Sequence, residues 1–133
     1  MANQMYPKGR EKFLGGDLDW DAHNFIVLLV KTAETFNASH EFIADLSGAN
    51  IVARSGNVAN KTKTDGVANC DPVVIAAVPS GSSVNAVLAR TTGNDSTSPL
   101  VAFYDTGTNF PGVTNGADVT FQPDPGVLHL FKL

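Results

Sequence analysis

Three groups of residues have types and spacings that could carry chemistry. The first is Asp105-Thr106-Gly107, which follows the apolar run "PLVAFY". Two such loops facing one another let two carboxylates share one proton, the device by which aspartic proteases activate water, and a homodimer of a short chain could supply both. The surroundings do not fit that chemistry. Those enzymes continue with Ala or Ser and an apolar strand, whereas here Thr108-Asn109 opens a polar loop. The later apolar segment with an internal Gly that braces the catalytic loop is missing, because "VLHLFKL" holds no Gly, and there is no Gly-rich flap. The tripeptide therefore reads as a strand end at Asp105, with Gly107 supplying the positive φ of a turn.

The second group is Asp17, Asp19 and Asp21, at alternate positions in "DLDWD". A calcium loop of the EF-hand type opens this way, but it needs Gly at its sixth position and Glu at its twelfth. Those positions hold Ala22 and Leu28, so the three carboxylates read as a solvated face of a strand or turn. The third group is His23, His40 and His129, which have no metal-ligand spacing; His40-Glu41 lacks the second His of a zinc helix. No nucleophile elbow and no Gly-rich phosphate loop is present. Trp20-Asp21 does not repeat, so it is no propeller signature. Cys70 is the sole cysteine, which rules out an internal disulfide and reads as a buried apolar thiol. The expectation is a protein that is not an enzyme, with no cofactor and no metal.

The elements that must position these residues follow from the pattern of apolar runs. "YPKGREKFLGG" reads as a short helix over about residues 7–14, with Pro7 at its start and Gly15-Gly16 as its stop. "NFIVLLVK", residues 24–31, is a continuous apolar run rich in β-branched residues and reads as a strand buried on both faces. "FNASHEFIADLSG" predicts a second short helix over 39–46, with Ser39 as N-cap, Phe42, Ile43 and Leu46 as its apolar stripe and Gly48 as its end. Beyond it, turn residues punctuate the chain every ten or so positions. "IVARSGNVANKTKTDG" offers two strands around Ser55-Gly56-Asn57, and "PVVIAAVPSGSSVNAVLART" two more around Pro79-Ser80-Gly81. "LVAFYDT", "DVTFQ" and "VLHLFKL" are further strands, separated by the loop "GTNFPGVTNGA" and the turn "PDPG". Many short strands at this spacing predict a mainly β fold, a single β-sandwich or jelly-roll-like domain over residues 1–133 with one or two short helices.

Composition limits the partners. Of 133 residues 17% are charged, against about a quarter in typical soluble domains. A low charged fraction suits a protein that covers surface with copies of itself or with a partner. The net charge of −4 lacks the basic footprint of a nucleic-acid binder. No apolar run reaches the ~20 residues of a membrane span, and "MANQMYPKGREKF" has no apolar core of a secretory signal. Without export, the sequons at Asn37, Asn60 and Asn94 read as chance.

The order "YPKGREKFLGGDLDW", a strand ending "LLVKT", "SHEF", "TSPLVAFYDTG" and "ADVTFQPDPGVLHL" resembles a group of small structural proteins of tailed phages. Members carry a lysine-containing helix before a Gly-Gly-Ile-Asp-Trp-like stretch, an "IKVALVT"-like strand, a His-Glu-Phe helix, a "SPLIAYIDFG"-like strand and a "WDADGILTL"-like hairpin. Residues 50–82 depart from the pattern, lacking its "GYTAGG" segment, and "FQPDPG" stands where an aromatic-acidic turn is common. The resemblance implies a non-enzymatic virion component, on the capsid surface or in the tail. The favoured expectation is a protein made in the host cytoplasm that binds the major capsid protein on the outer capsid surface as a decoration or cement protein, with a two- or three-fold capsid axis favouring a dimer or trimer. The resemblance leaves open a receptor- or glycan-binding module of a tail fibre or baseplate, with "TGNDSTSP" and "GTNFPGVTNGA" as recognition loops. The first fourteen residues are basic within an acidic chain: Lys8, Arg10, Lys12 and the terminal amine face only Glu11. Tyr6, Lys8, Arg10, Lys12 and Phe13 are therefore the candidate partner-docking residues, on an arm or short helix expected to order only against a neighbouring subunit.

Overall fold

A computed structural model describes residues 4–105, 112–121 and 130–132. The expected turn at Gly107, the "PDPG" turn and His129 lie outside the described residues. The strands are β1 (Gln4–Met5), β2 (Phe25–Lys31), β3 (Ile51–Arg54), β4 (Val67–Ala68), β5 (Val73–Ile75), β6 (Ser83–Arg90), β7 (Leu100–Tyr104), β8 (Gly112–Val113), β9 (Val119–Phe121) and β10 (Phe131–Lys132); the helix is α1 (Pro7–Leu14).

Strand β2 owes its place to composition. Its first six residues are buried, so it needs cover on both faces, and it is an inner strand, between β6 and β3, of an antiparallel sheet ordered β1-β7-β6-β2-β3, with β8 also on β6. Side chains alternate across a strand. Phe25, Val27 and Leu29 accordingly enter one core cluster with Val84, Ala86, Leu88 and Tyr104. Ile26, Leu28 and Val30 enter another with Val87, Ala89 and Phe103. The first face is covered by two-stranded ladders, β4 with β10 and β5 with β9, which contribute Ala68, Phe131, Val73, Ile75 and Phe121. The opposite face is closed by Tyr6, Ile43 and Leu46, with Phe36 and Ile51 at its margin. The described residues are thus mainly β with one short α-helix.

The β6–β7 register shifts once: Leu88 faces Ala102 but Ala89 faces Leu100, so Val101 is an extra residue. Such a bulge re-aims backbone groups. Here the Val101 carbonyl accepts the Tyr6 N–H at 2.8 Å, and α1 lies against the same stretch through Gly9, where an added Cβ would stand 2.6 Å from the Leu100 oxygen. The helix runs over the residues its Pro7 and Gly15 dictate.

The second expected helix, 39–46, is not formed. Asn37 Oδ1 accepts the Ser39 N–H and hydroxyl, so Ser39 caps nothing. Phe42 makes a bridge to Pro99, and the Asp45 carboxylate accepts the N–H groups of Glu41 and Phe42 at 2.8 and 2.9 Å. Only a 3₁₀ turn, Ile43–Asp45, remains, still burying Ile43 and Leu46. The second strand expected after Gly56 is reduced to an isolated bridge, Thr62 with Asn69, because Asn60 takes a positive φ of 54°. Conversely β8 is a strand inside the stretch read as one long loop.

Candidate functional site

A hollow with organised walls lies along the edge strand β3. Ile51, Val52 and Ala53 are half-buried, and β3 has a strand neighbour, β2, on one side. Beside it the 3₁₀ turns Ile43–Asp45 and Gly48–Asn50 fold down onto the sheet. The first of them is held by main-chain bonds to the polar loop 91–98: Ile43 N–H to Ser98 O at 2.9 Å and Ala44 N–H to Asp95 O at 3.0 Å. Two hydrogen bonds pin the Glu34 carboxylate beneath, from the Ser47 N–H at 2.8 Å and the Asn50 side chain at 3.3 Å. The resulting groove encloses about 470 Å³, with Ile43, Leu46, Ile51 and Ala53 in its apolar wall and Arg54 and Asp95 at its polar one.

The polar loop is rigidly built. Asn94 Oδ1 accepts the Ser96 N–H and hydroxyl, while its carbonyl accepts the hydroxyls of Thr92, Thr97 and Ser98. Ser98, buried, returns its Oγ to the Thr92 N–H. The bidentate pair between Arg54 and Asp95, both N–O distances 2.7 Å, ties the loop to β3. Each partner holds the other charged: the Arg54 hydrogen bond lowers the Asp95 pKa below the usual carboxylate range, and Asp95 raises that of Arg54. At 41% and 44% exposure the pair is solvent-screened, and Asp95→Asn should cost under about 1 kcal/mol at neutral pH. The sign follows from linkage. Asp95 has a depressed folded pKa, so its contribution is present above its unfolded pKa and is lost as pH falls through the folded one. The difference between wild-type and Asp95→Asn stability, followed by urea melts, should shrink to nothing in acid.

A second hollow, about 400 Å³, lies between β8 and β9, lined by Val113, Thr114, Asn115, Asp118 and Thr120 among others. Three of its polar groups are engaged by main-chain N–H groups: Asn115 Oδ1 accepts that of Ala117 in a local turn, while Thr114 Oγ1 accepts that of Ser82 and Asp118 Oδ1 that of Ala77 from distant segments. Ala77 itself is held at φ 49°.

The acidic stretch has a different fate. Asp19 Oδ1 caps the N–H groups of Asp21 and Ala22, and Lys63 pairs with Asp21. The Lys61 ammonium donates to the carbonyls of Asp21 and His23 and sits 5.6 and 5.3 Å from the ring centres of Trp20 and Phe25. Burial draws the Lys61 pKa below the usual lysine value, with Asp19 opposing. The chain thus supplies its own cation to this loop. Among the described residues, no group of three or more His, Cys, Asp or Glu side chains is placed to hold a metal ion. Burial also pushes the Cys70 thiol up to about 11, as suits a core residue rather than a nucleophile. Asp105 directly follows β7.

The structure does not bring the candidate docking residues together on one open face. Tyr6 is fully buried, its ring 4.9 Å from that of Phe36. Phe13 packs on Phe25 and Phe131 at 6.4 and 5.6 Å. Lys12 pairs with Glu41 at 3.1 Å and lies over the Phe42 ring. Lys8 pairs with Glu11 within the helix, and Arg10 is exposed. The arm expected to order only against a partner is therefore ordered against its own sheet, because Tyr6, Gly9 and Phe13 fit surfaces that β7, Phe25 and Phe131 provide. Sequence reasoning missed the groove: Arg54 and Asp95 are 41 positions apart, and nothing local links them.

No family model matches the chain, and no curated protein matches it in sequence. Among the described residues, no helix is long and apolar enough to cross a membrane.

Proposed function

We propose that this chain is a non-enzymatic virion protein of a tailed phage, which binds the major capsid protein on the outer shell and stabilises it as a decoration or cement protein. The observation that carries this reading is the ordered resemblance of its segments to small phage structural proteins. Four of those segments supply frame elements of the fold: "PKGREKFL" is α1, "FIVLLVK" is β2, "LVAFY" is β7 and "VTF" is β9. The low charged fraction, 17%, supports it. So does a groove that offers an apolar wall and a fixed ion pair, suited to binding rather than reaction. Physically, a shell swollen by packaged DNA strains its subunit junctions. A small domain bound across a junction adds buried area there, and mass action favours the assembled state.

The polar loop 91–98 favours one alternative. Its internally satisfied hydrogen bonds make it a pre-organised surface, as a receptor- or glycan-binding module of a tail fibre or baseplate requires. Quantitative mass spectrometry of purified particles separates the two. Copies on the order of hundreds per particle, together with capsids that dissociate at a lower temperature once the protein is stripped, are the expected result. A few to some tens of copies, with capsid stability unchanged, would move the chain to the tail.

A further inference from the structure

We propose that the segment 4–14 is exchangeable between two copies of this chain, so that β1 and α1 of each copy seat on β7 of the other. Every contact that fastens this segment is made to the body of the molecule. Gln4 and Met5 pair with Phe103 and Ala102, and the Tyr6 N–H bonds the Val101 carbonyl. Lys12 pairs with Glu41, and Phe13 packs on Phe25 and Phe131. A second copy offers the same partners in the same geometry, so exchange leaves these contacts unchanged.

What changes is the connection. Between Leu14 and Leu18, which is already in the core, the chain runs Gly15-Gly16-Asp17. Gly16 sits at φ +83° with nothing within 4 Å of an added Cβ, so no neighbouring atom blocks a change of its backbone angles. The turn is closed by four main-chain bonds: Gly15 to Glu11, Gly16 to Phe13, and Asp17 and Leu18 to Lys12. Opening it gives up these bonds; the N–H groups of Gly15, Gly16 and Asp17 belong to exposed residues and are taken up by water, while that of the buried Leu18 is the part of the cost that water repays least.

A second observation points to a second copy. Leu14, at this hinge, is 85% exposed, the most exposed large apolar side chain among the described residues. A three-residue hinge spans only about 10 Å when extended, so the bodies of an exchanged pair must lie side by side at their hinges. The Leu14 side chains then meet at the new contact and leave water. The inference does not rest on the virion reading.

The Lys12–Glu41 pair reports the exchange directly, because a zero-length carbodiimide couples an amine to a carboxylate only where the two touch. Full-length chain made in light and ¹⁵N-labelled form is mixed, unfolded, refolded at high concentration and separated by size. In the dimer fraction, Lys12–Glu41 cross-linked peptides should contain one light and one heavy half in the proportion random pairing gives. Leu14→Glu should weaken the dimer at least about tenfold, because a charge enters the hinge contact, without shifting the monomer's melting temperature. Absence of any dimer, a dimer whose cross-linked peptides are all of one isotope, or a dimer indifferent to Leu14→Glu would each overturn the proposal.

Discussion

Replacing Tyr6 by Ala is expected to cost about 3–5 kcal/mol, the usual loss for truncating a fully buried aromatic side chain. Against a total stability of about 5–15 kcal/mol for a domain of ordinary size, that leaves a marginal fold. Tyr6 has no exposed surface and plugs the sheet face that holds Leu28, Val87, Leu100 and Phe103. Its hydroxyl is buried without a hydrogen-bond partner, and burial, then the Glu34 carboxylate, pushes its pKa above the usual tyrosine range. Removing an unsatisfied buried hydroxyl relieves a cost, so Tyr6→Phe should be neutral or stabilising, within about 1 kcal/mol. The two substitutions therefore have opposite expectations at one site. Trp20, the sole tryptophan, packs on Phe25 and Phe131 and reports unfolding by its fluorescence in urea melts. A Tyr6→Ala chain as stable as wild type would remove Tyr6 from the core. The same burial reverses what the sequence suggests for a deletion. Read as an arm, residues 1–6 are dispensable to the isolated fold; with β1 paired to β7 and Tyr6 in the core, removing them should destabilise it at least as much as Tyr6→Ala.

Gly9→Val is expected to dislodge α1 from β7 at a cost of about 2–3 kcal/mol, at the upper end for overpacking a filled site. The cause is specific. A Cβ at residue 9 would lie 2.6 Å from the Leu100 oxygen and 3.1 Å from the Val101 Cα, and both are backbone, which cannot swing aside. Gly9→Ala meets the same atoms but gains about 1 kcal/mol of helix propensity, so its net loss should be smaller. Gly48→Ala and Gly56→Ala are controls, since nothing lies within 4 Å of an added Cβ at either and neither has a positive φ. Thermal melts of the four variants should rank Val below Ala at position 9 and both below the controls. A Gly9→Val chain that melts with the controls would mean that α1 does not pack against the bulge.

Local pattern determined several elements outright. The run at 24–31 became β2 because six adjacent apolar residues must be covered on both faces. Pro7 and Gly15 bounded α1 because one fits a first helical turn and the other ends it. Pro79-Ser80-Gly81 separated β5 from β6 because Gly81 accepts φ +92°. The failure of the calcium pattern at Ala22 and Leu28 was also legible, being a matter of residue type at a fixed spacing. Other features depended on groups distant in the chain. The apolar stripe at 42–46 is compatible with a helix, but the bridge from Phe42 to Pro99 and the Asp45 carboxylate on the Glu41 and Phe42 N–H groups hold Phe42 extended and leave only the 3₁₀ turn Ile43–Asp45. The basic first segment looked like a free arm because charge is visible in sequence and a complementary seat is not. That seat, the bulge at Val101 and the space left by Gly9, exists only once β6 and β7 have paired out of simple register. Lys61 settles over Trp20 from 41 positions away, and Arg54 finds Asp95 at the same separation. Sequence thus determined which segments must be buried and where the chain must turn, because both follow from each residue's own size, polarity and backbone freedom. Tertiary structure alone decided which charges are spent within the molecule and where the groove lies, because those depend on pairings that strand order creates between residues with no local relation.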